Sequence, residues 1–138
     1  MRNICIVVTA RPSYARVKTL LNAIKKHPKL KLSLIVTGSA LLDKYGSVIN
    51  VIKKDGFEPT SIVHILIEGE SLLTSAKSTG LGIIELSNTI HNLKPDIVIS
   101  IADRYETIAT AIASSYQNIP VAHIQGGEVT GSIDEKVR

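Results

Sequence analysis

Two arginines, three carboxylates and a pair of glycines stand in this chain where a ligand could meet them. Arg11 is followed by Pro12, a residue suited to the first turn of a helix, which would set the guanidinium beside a positive helix end. A planar fork of donors there suits a phosphate, and an ordinary surface arginine on a short loop fits the residue equally well. Asp103 and Arg104 directly follow the apolar run Ile97-Val98-Ile99-Ser100-Ile101. That order puts Asp103 at the carboxyl end of a strand and lets Arg104 open the next helix. Asp103 has a structural reading as the N-cap of that helix, and capping is compatible with proton transfer. Gln125, Gly126, Gly127 and Glu128 come next to another strand end, where the glycine pair permits a sharp turn and a close ligand approach. Asp134 falls in the first turn of a last helix that Ser132 and Glu135 start as a capping box, a place where a carboxylate is stabilised whatever its function. Two arginines and a carboxylate in one cleft would suit an anionic substrate that also needs acid or base chemistry.

The other candidates read as structural. His123 precedes the glycine turn on an apolar strand and is expected to be a satisfied core histidine; no metal-ligand spacing accompanies it, so no metal is expected. The first loop lacks the G-x-G-x-x-G cradle, which argues against NAD, and no cofactor is expected. Gly38-Ser39 reads as a helix cap before a ligand contact, and Glu68-Gly69-Glu70 as a solvated turn.

Positioning these residues is the task of an alternating chain. Apolar runs at 3–9, 31–37, 61–67, 96–101 and 120–125 read as strands, and helical spacing fills 12–26, 40–54, 72–92 and 104–117. The strands are rich in Ile, Val and Leu without polar alternation, as in a parallel sheet covered on both faces. The third helix takes its apolar stripe from Leu81, Ile84, Ile90 and Leu93 and ends near Pro95. The pattern predicts an α/β domain with a doubly wound, Rossmann-like parallel sheet, for which a strand order of 3-2-1-4-5 is considered. The winding then reverses between the first and fourth strands, and Arg11 and Asp103-Arg104 flank one crevice.

At 138 residues and 44% hydrophobic content, the chain matches one domain with one core. Its single cysteine, Cys5, sits in an apolar strand and is expected to pack there, in a reducing cytoplasmic setting. No uncharged run approaches the ~20 residues of a membrane span. Much of the excess behind the formal charge of +4 lies in Lys25, Lys26, Lys29 and Lys31, a helix end plus connection, and in Lys53 and Lys54, another helix end; lysines near helix ends complement the dipole. Four tyrosines and one phenylalanine provide no stacking platform, so nucleic acid is not an expected partner.

Taken in order, Thr9-Ala10-Arg11-Pro12-Ser13-Tyr14, Val36-Thr37-Gly38-Ser39, Leu42-Asp43-Lys44-Tyr45-Gly46, Lys94-Pro95-Asp96, Asp103-Arg104 and His123-Ile124-Gln125-Gly126-Gly127-Glu128, continued by Gly131-Ser132-Ile133-Asp134, resemble the N-terminal half of the hydrolysing UDP-N-acetylglucosamine 2-epimerases. The likeness is to the sialic-acid branch that yields N-acetylmannosamine. It implies a glycosyltransferase-B arrangement of two Rossmann-like domains, of which residues 1–138 would be the first, cut where a helix begins. The resemblance further implies a UDP-N-acetylhexosamine substrate, plain or bacillosamine-like, and a homo-oligomer at full length. The implied reaction is elimination of UDP across C1–C2 followed by hydration. By the same resemblance Asp103, Glu128 and Asp134 would be catalytic, while Arg11, Arg104, Gln125, Gly126 and Gly127 would bind substrate. Gln125 departs from the glutamate of many members, and an amide cannot act as a proton-transfer base. Residues 1–138 alone are expected to be inactive. A glycosyltransferase domain and a non-catalytic doubly wound binding module are the alternatives.

Overall fold

The computed structural model describes residues 1–42, 46–67, 69, 71–102 and 104–126. Strands β1 (Arg2–Val8), β2 (Leu30–Thr37), β3 (Ser61–Val63), β4 (Ile97–Ile101) and β5 (Val121–Ile124) alternate with helices α1 (Arg11–Lys26), α2 (Val48–Lys54), α3 (Leu72–Leu93) and α4 (Tyr105–Ser115). Every strand pair is parallel and the order is β3-β2-β1-β4-β5, so the winding does reverse between β1 and β4.

Side chains leave a strand on alternate faces, and here each face has its own core. Ile6 and Val8 of β1 join Leu34 and Val36 of β2 beneath Val17, Leu21 and Ile24 of α1 and Ile52 of α2. Cys5 and Val7 join Ile35 and Val98 on the other face, beneath Leu86 and Ile90 of α3 and Ala109 and Ala113 of α4. Burial on both faces explains why the central strands read as continuous apolar runs. Cys5 is fully buried, as expected, and its thiol pKa is pushed up to about 12 by desolvation.

Three expectations need correction. The helix foreseen at 40–54 is split into a single 3-10 turn, Gly38–Leu41, and α2; Gly46 at φ +88° and Ser47 at φ +44° lie in the left-handed region and cannot continue a right-handed helix. The strand foreseen at 61–67 pairs only over Ser61–Val63, although Ile65 remains buried in the core. The buried face of α3 is Ser78, Gly82, Leu86 and Ile90, and Ile84, assigned to the apolar stripe, is 60% exposed. Close approach sets that face: a Cβ on Gly82 would lie 3.2 Å from Ala109 Cβ and 3.3 Å from Ile65 Cδ1, so a glycine lets α3 settle on α4. Lys94, left-handed at φ +50°, then caps α3 ahead of Pro95.

Candidate active site at the sheet switch point

The carboxyl ends of β1, β2 and β4 are tied together by backbone and buried side chains. The Thr9 carbonyl at the end of β1 accepts from Ala40 N–H at 3.2 Å and from Ser39 Oγ at 3.2 Å, both in the 3-10 turn that follows β2. Gly38 opens that turn at φ +64°, with Thr37 as N-cap and no side-chain cap bond, so Gly38-Ser39 ties the turn to the end of β1 and is not the expected cap. A Cβ at Gly38 would lie 2.9 Å from Thr9 O and 3.0 Å from Glu106 Oε1. Glu106 of α4 thus packs beneath the ends of β1 and β2, fully buried.

Arg11 and Arg104 stand where the winding order requires, at the starts of α1 and α4 beyond the adjacent strands β1 and β4. Arg11 is exposed, and its guanidinium leans toward the β2 side, with Nη1 3.6 Å from where a Cβ of Gly46 would be. Arg104 turns back on its own helix: Nε is 3.5 Å from Glu106 Oε2, and the guanidinium lies 5.5 Å from the Tyr105 ring centroid. The Tyr105 phenol is raised to about 12, by burial first and then by the neighbouring Glu106 charge, with Arg104 acting in the opposite sense. The two arginines thus open the helices that follow adjacent strands, in different surroundings. Arg104, at φ −75° and ψ 169°, takes the N-cap position of α4, one residue later than expected, and Thr107 N–H donates to its carbonyl at 2.9 Å.

Beside them β4 and β5 end in step. Ala102 N–H donates to Ile124 O at 3.2 Å, and Ala102 and Gln125 turn left-handed at φ +70° and φ +66°. Gln125 and Gly126 are exposed at this edge. His123 is not a core histidine: it is exposed on the outer strand β5, with Ser100 Oγ 2.8 Å from its Nδ1. Its ring lies against Gly126, where a Cβ would come within 2.7 Å of His123 Cδ2, so a side chain at 126 requires the imidazole to shift.

Asp103, Gly127, Glu128 and Asp134 lie outside the described residues, as do Asp43, Lys44, Tyr45, Glu68, Glu70 and the capping box of Ser132 and Glu135. Among the described residues no group of three or more His, Cys, Asp or Glu could hold a metal ion, and no helix is long and apolar enough to cross a membrane. Glu106 is the site residue that sequence reasoning missed. The signal was present: Glu106, Ala109, Thr110, Ala113 and Ser114 recur at helical spacing and form the buried face of α4, with a carboxylate at the head of a row of small residues.

Residues 22–138 match the family model described as UDP-N-acetylglucosamine 2-epimerase. The chain belongs to this family. Over its whole length it is 33% identical to the UDP-N,N'-diacetylbacillosamine 2-epimerase (hydrolyzing) of Legionella pneumophila, covering 37% of that protein. It is 34% identical to the polysialic acid biosynthesis protein P7 of Escherichia coli, covering all of this chain and 36% of the relative. The chain spans about a third of the length of these curated relatives. In fold it is similar to the UDP-GlcNAc 2-epimerase from Neisseria meningitidis, a crystal structure with UDP-GlcNAc bound, at a TM-score of 0.79 and 22% identity; the match covers 98% of this chain and 34% of that one. The family's doubly wound N-terminal fold is therefore the fold of this chain.

Proposed function

We propose that this chain is the N-terminal domain of a hydrolysing UDP-N-acetylglucosamine 2-epimerase that releases UDP and N-acetylmannosamine for sialic-acid-type sugars. The observation that carries the reading is the pair Arg11 and Arg104 at the β1/β4 reversal of a chain from this family. A crevice at a winding reversal is where open α/β sheets bind ligands, and guanidiniums there balance the charge of a departing diphosphate. The hydrolysing and polysialic-acid relatives, each at about a third identity, support the finer assignment.

In the proposed reaction a carboxylate takes the C2 proton while the bond from C1 to the UDP oxygen breaks, leaving a C1=C2 double bond. Water then adds its hydroxyl to C1, and a proton returns to C2 from the opposite face. Asp103, Glu128 and Asp134 are the proposed proton carriers, Arg11 and Arg104 hold the nucleotide, and Gln125, Gly126 and Gly127 contact the sugar. The C2 proton is weakly acidic, so base and charge-balanced leaving group must act together. We place the two-domain protein in the cytosol, as a homo-oligomer that uses no cofactor.

Turnover of UDP-N-acetylglucosamine by the two-domain protein in deuterated water tests this. Free N-acetylmannosamine carrying deuterium at C2, together with free UDP, is expected. Retention of UDP on the epimerised sugar would mean a non-hydrolysing epimerase, and sugar transfer without C2 deuterium would mean a glycosyltransferase.

A further inference from the structure

We propose that Glu106 is a positioning residue that holds the Arg104 guanidinium in place at the β1/β4 reversal. The inference rests on the proposed function for its ligand, and on geometry alone for its mechanics.

Glu106 has no exposed surface, whereas the Arg104 side chain is 46% exposed. Burying a carboxylate costs several kcal/mol, so a carboxylate fully inside a domain needs charge and hydrogen-bond compensation from close neighbours. Arg104 supplies positive charge at 3.5 Å through Nε, the guanidinium nitrogen nearest its own backbone. A guanidinium engaged through Nε still has two terminal nitrogens, the fork that grips phosphate oxygens. Glu106 is itself closely enclosed. It lies in the first turn of α4, its Oε1 and Cγ fill the space that a side chain at Gly38 would take, and Thr9 O closes the same gap. Thr107 Oγ1 donates to Ile101 O at 3.3 Å and fixes that turn to the end of β4. Three strand ends thus hold one carboxylate, and that carboxylate holds an arginine at the solvent boundary. A long flexible arginine fixed in advance gives up less rotamer freedom when an anion binds.

The first test needs no variant. In side-chain 15N NMR of the wild-type two-domain protein at mildly acidic pH, the Arg104 Nε–H should exchange more slowly than those of exposed arginines such as Arg11. Exchange as fast as theirs would overturn the positioning role. In Glu106→Gln the protection should vanish while the backbone amide spectrum stays folded; persisting protection would also overturn it. The second test is a double-mutant cycle on UDP-N-acetylglucosamine turnover and UDP affinity. Glu106→Gln should lower kcat/KM about tenfold or more, mainly through KM, yet less than about twofold further in an Arg104→Ala background. Equal losses in both backgrounds would show that Glu106 serves the fold and not Arg104. If the wild-type protein does not turn over this substrate, the epimerase reading falls, while the exchange measurement still decides the positioning role.

Discussion

Ala102 and Gln125 end adjacent strands in the same left-handed conformation, at φ +70° and φ +66°, one residue beyond the last paired residues Ile101 and Ile124. The Ala102 N–H bond to Ile124 O holds the two reversals side by side, so both chains leave the sheet at the same level. Residues with a Cβ occupy this region at a cost of about 1–2 kcal/mol. Such strain persists where surrounding structure over-determines it, often at functional edges.

Replacing Ala102 therefore has a predictable sign. Ala102→Gly removes the left-handed penalty and adds the extra unfolded-state freedom of glycine, about 0.5–1 kcal/mol, for a net gain of up to about 1.5 kcal/mol. Ala102→Val, β-branched, should lose about 1 kcal/mol or more. Urea midpoints of the three proteins give the order Gly, Ala, Val; a less stable glycine variant would show that the conformation carries no strain.

Gly126 is favoured by a neighbour and not by its φ. A Cβ there meets His123 Cδ2 at 2.7 Å, so Gly126→Ala must push the imidazole away and break its 2.8 Å bond to Ser100. The expected loss is about 1 kcal/mol, the net worth of one hydrogen bond. Adding His123→Ala to Gly126→Ala should cost almost nothing further, whereas His123→Ala in the wild type should cost about the same 1 kcal/mol. Full additivity would place the steric conflict elsewhere.

On the opposite side of the sheet from His123, Tyr14 OH donates to Asp55 Oδ2 at 2.5 Å, and Lys18 Nζ lies 3.1 Å from the same oxygen. The Asp55 carboxyl is held below its ordinary 3.8, first by the Tyr14 hydrogen bond and then by Lys18. The Tyr14 phenol is raised above its ordinary 10.0, first by burial and then by Asp55. A depressed acid stabilises the fold above its unfolded pKa, and that share is lost as pH falls through the folded value. A raised phenol contributes below 10.0, and its share fades as pH climbs above that value. Tyr14→Phe should lower the urea midpoint by a constant amount between about pH 5 and 9, and the gap should narrow at either extreme. A gap independent of pH down to the acid limb would mean that the substitution disturbs packing and not the hydrogen bond.

The doubly wound parallel sheet was legible because strands covered on both faces carry no alternation and helices fall between them; the order 3-2-1-4-5, which places the switch point, is one of the orders such a sheet can take. Arg11 and Arg104 followed from that order at once. The break before α2 was not legible, since apolar spacing over 40–54 suits a helix and only Gly46 and Ser47 oppose it. The face of α3 was misread because small residues, Ser78 and Gly82, sit innermost, and hydrophobicity does not reveal close approach. Glu106 escaped for a similar reason: a glutamate in a first turn reads as a dipole partner in solvent, and its burial depends on Gly38 and Thr9 from two other loops.

Cys5 offers a direct probe of global opening. Its thiol is fully buried and its pKa is raised to about 12, so thiolate is scarce at neutral pH even before access is considered. Labelling by an aromatic disulfide reagent should be slow in water and rise with urea in step with loss of helical signal. Rapid labelling of the folded protein would show that β1 opens locally.

Gly38 and Gly46 both have left-handed φ, but their surroundings differ, and the difference isolates the packing around Glu106. At Gly46 a Cβ meets nothing nearer than Arg11 Nη1 at 3.6 Å, so Gly46→Ala should lose only the conformational term of about 1 kcal/mol. At Gly38 the same methyl would press on a backbone carbonyl at 2.9 Å and on Glu106 Oε1 at 3.0 Å, and neither can give way cheaply. Gly38→Ala should therefore lose about 2–4 kcal/mol, the conformational term plus overpacking, and should weaken UDP binding by displacing the carboxylate that holds Arg104. Equal losses at the two glycines, measured by urea denaturation, would show that the Glu106 side chain yields to the methyl and that the strand ends do not grip it.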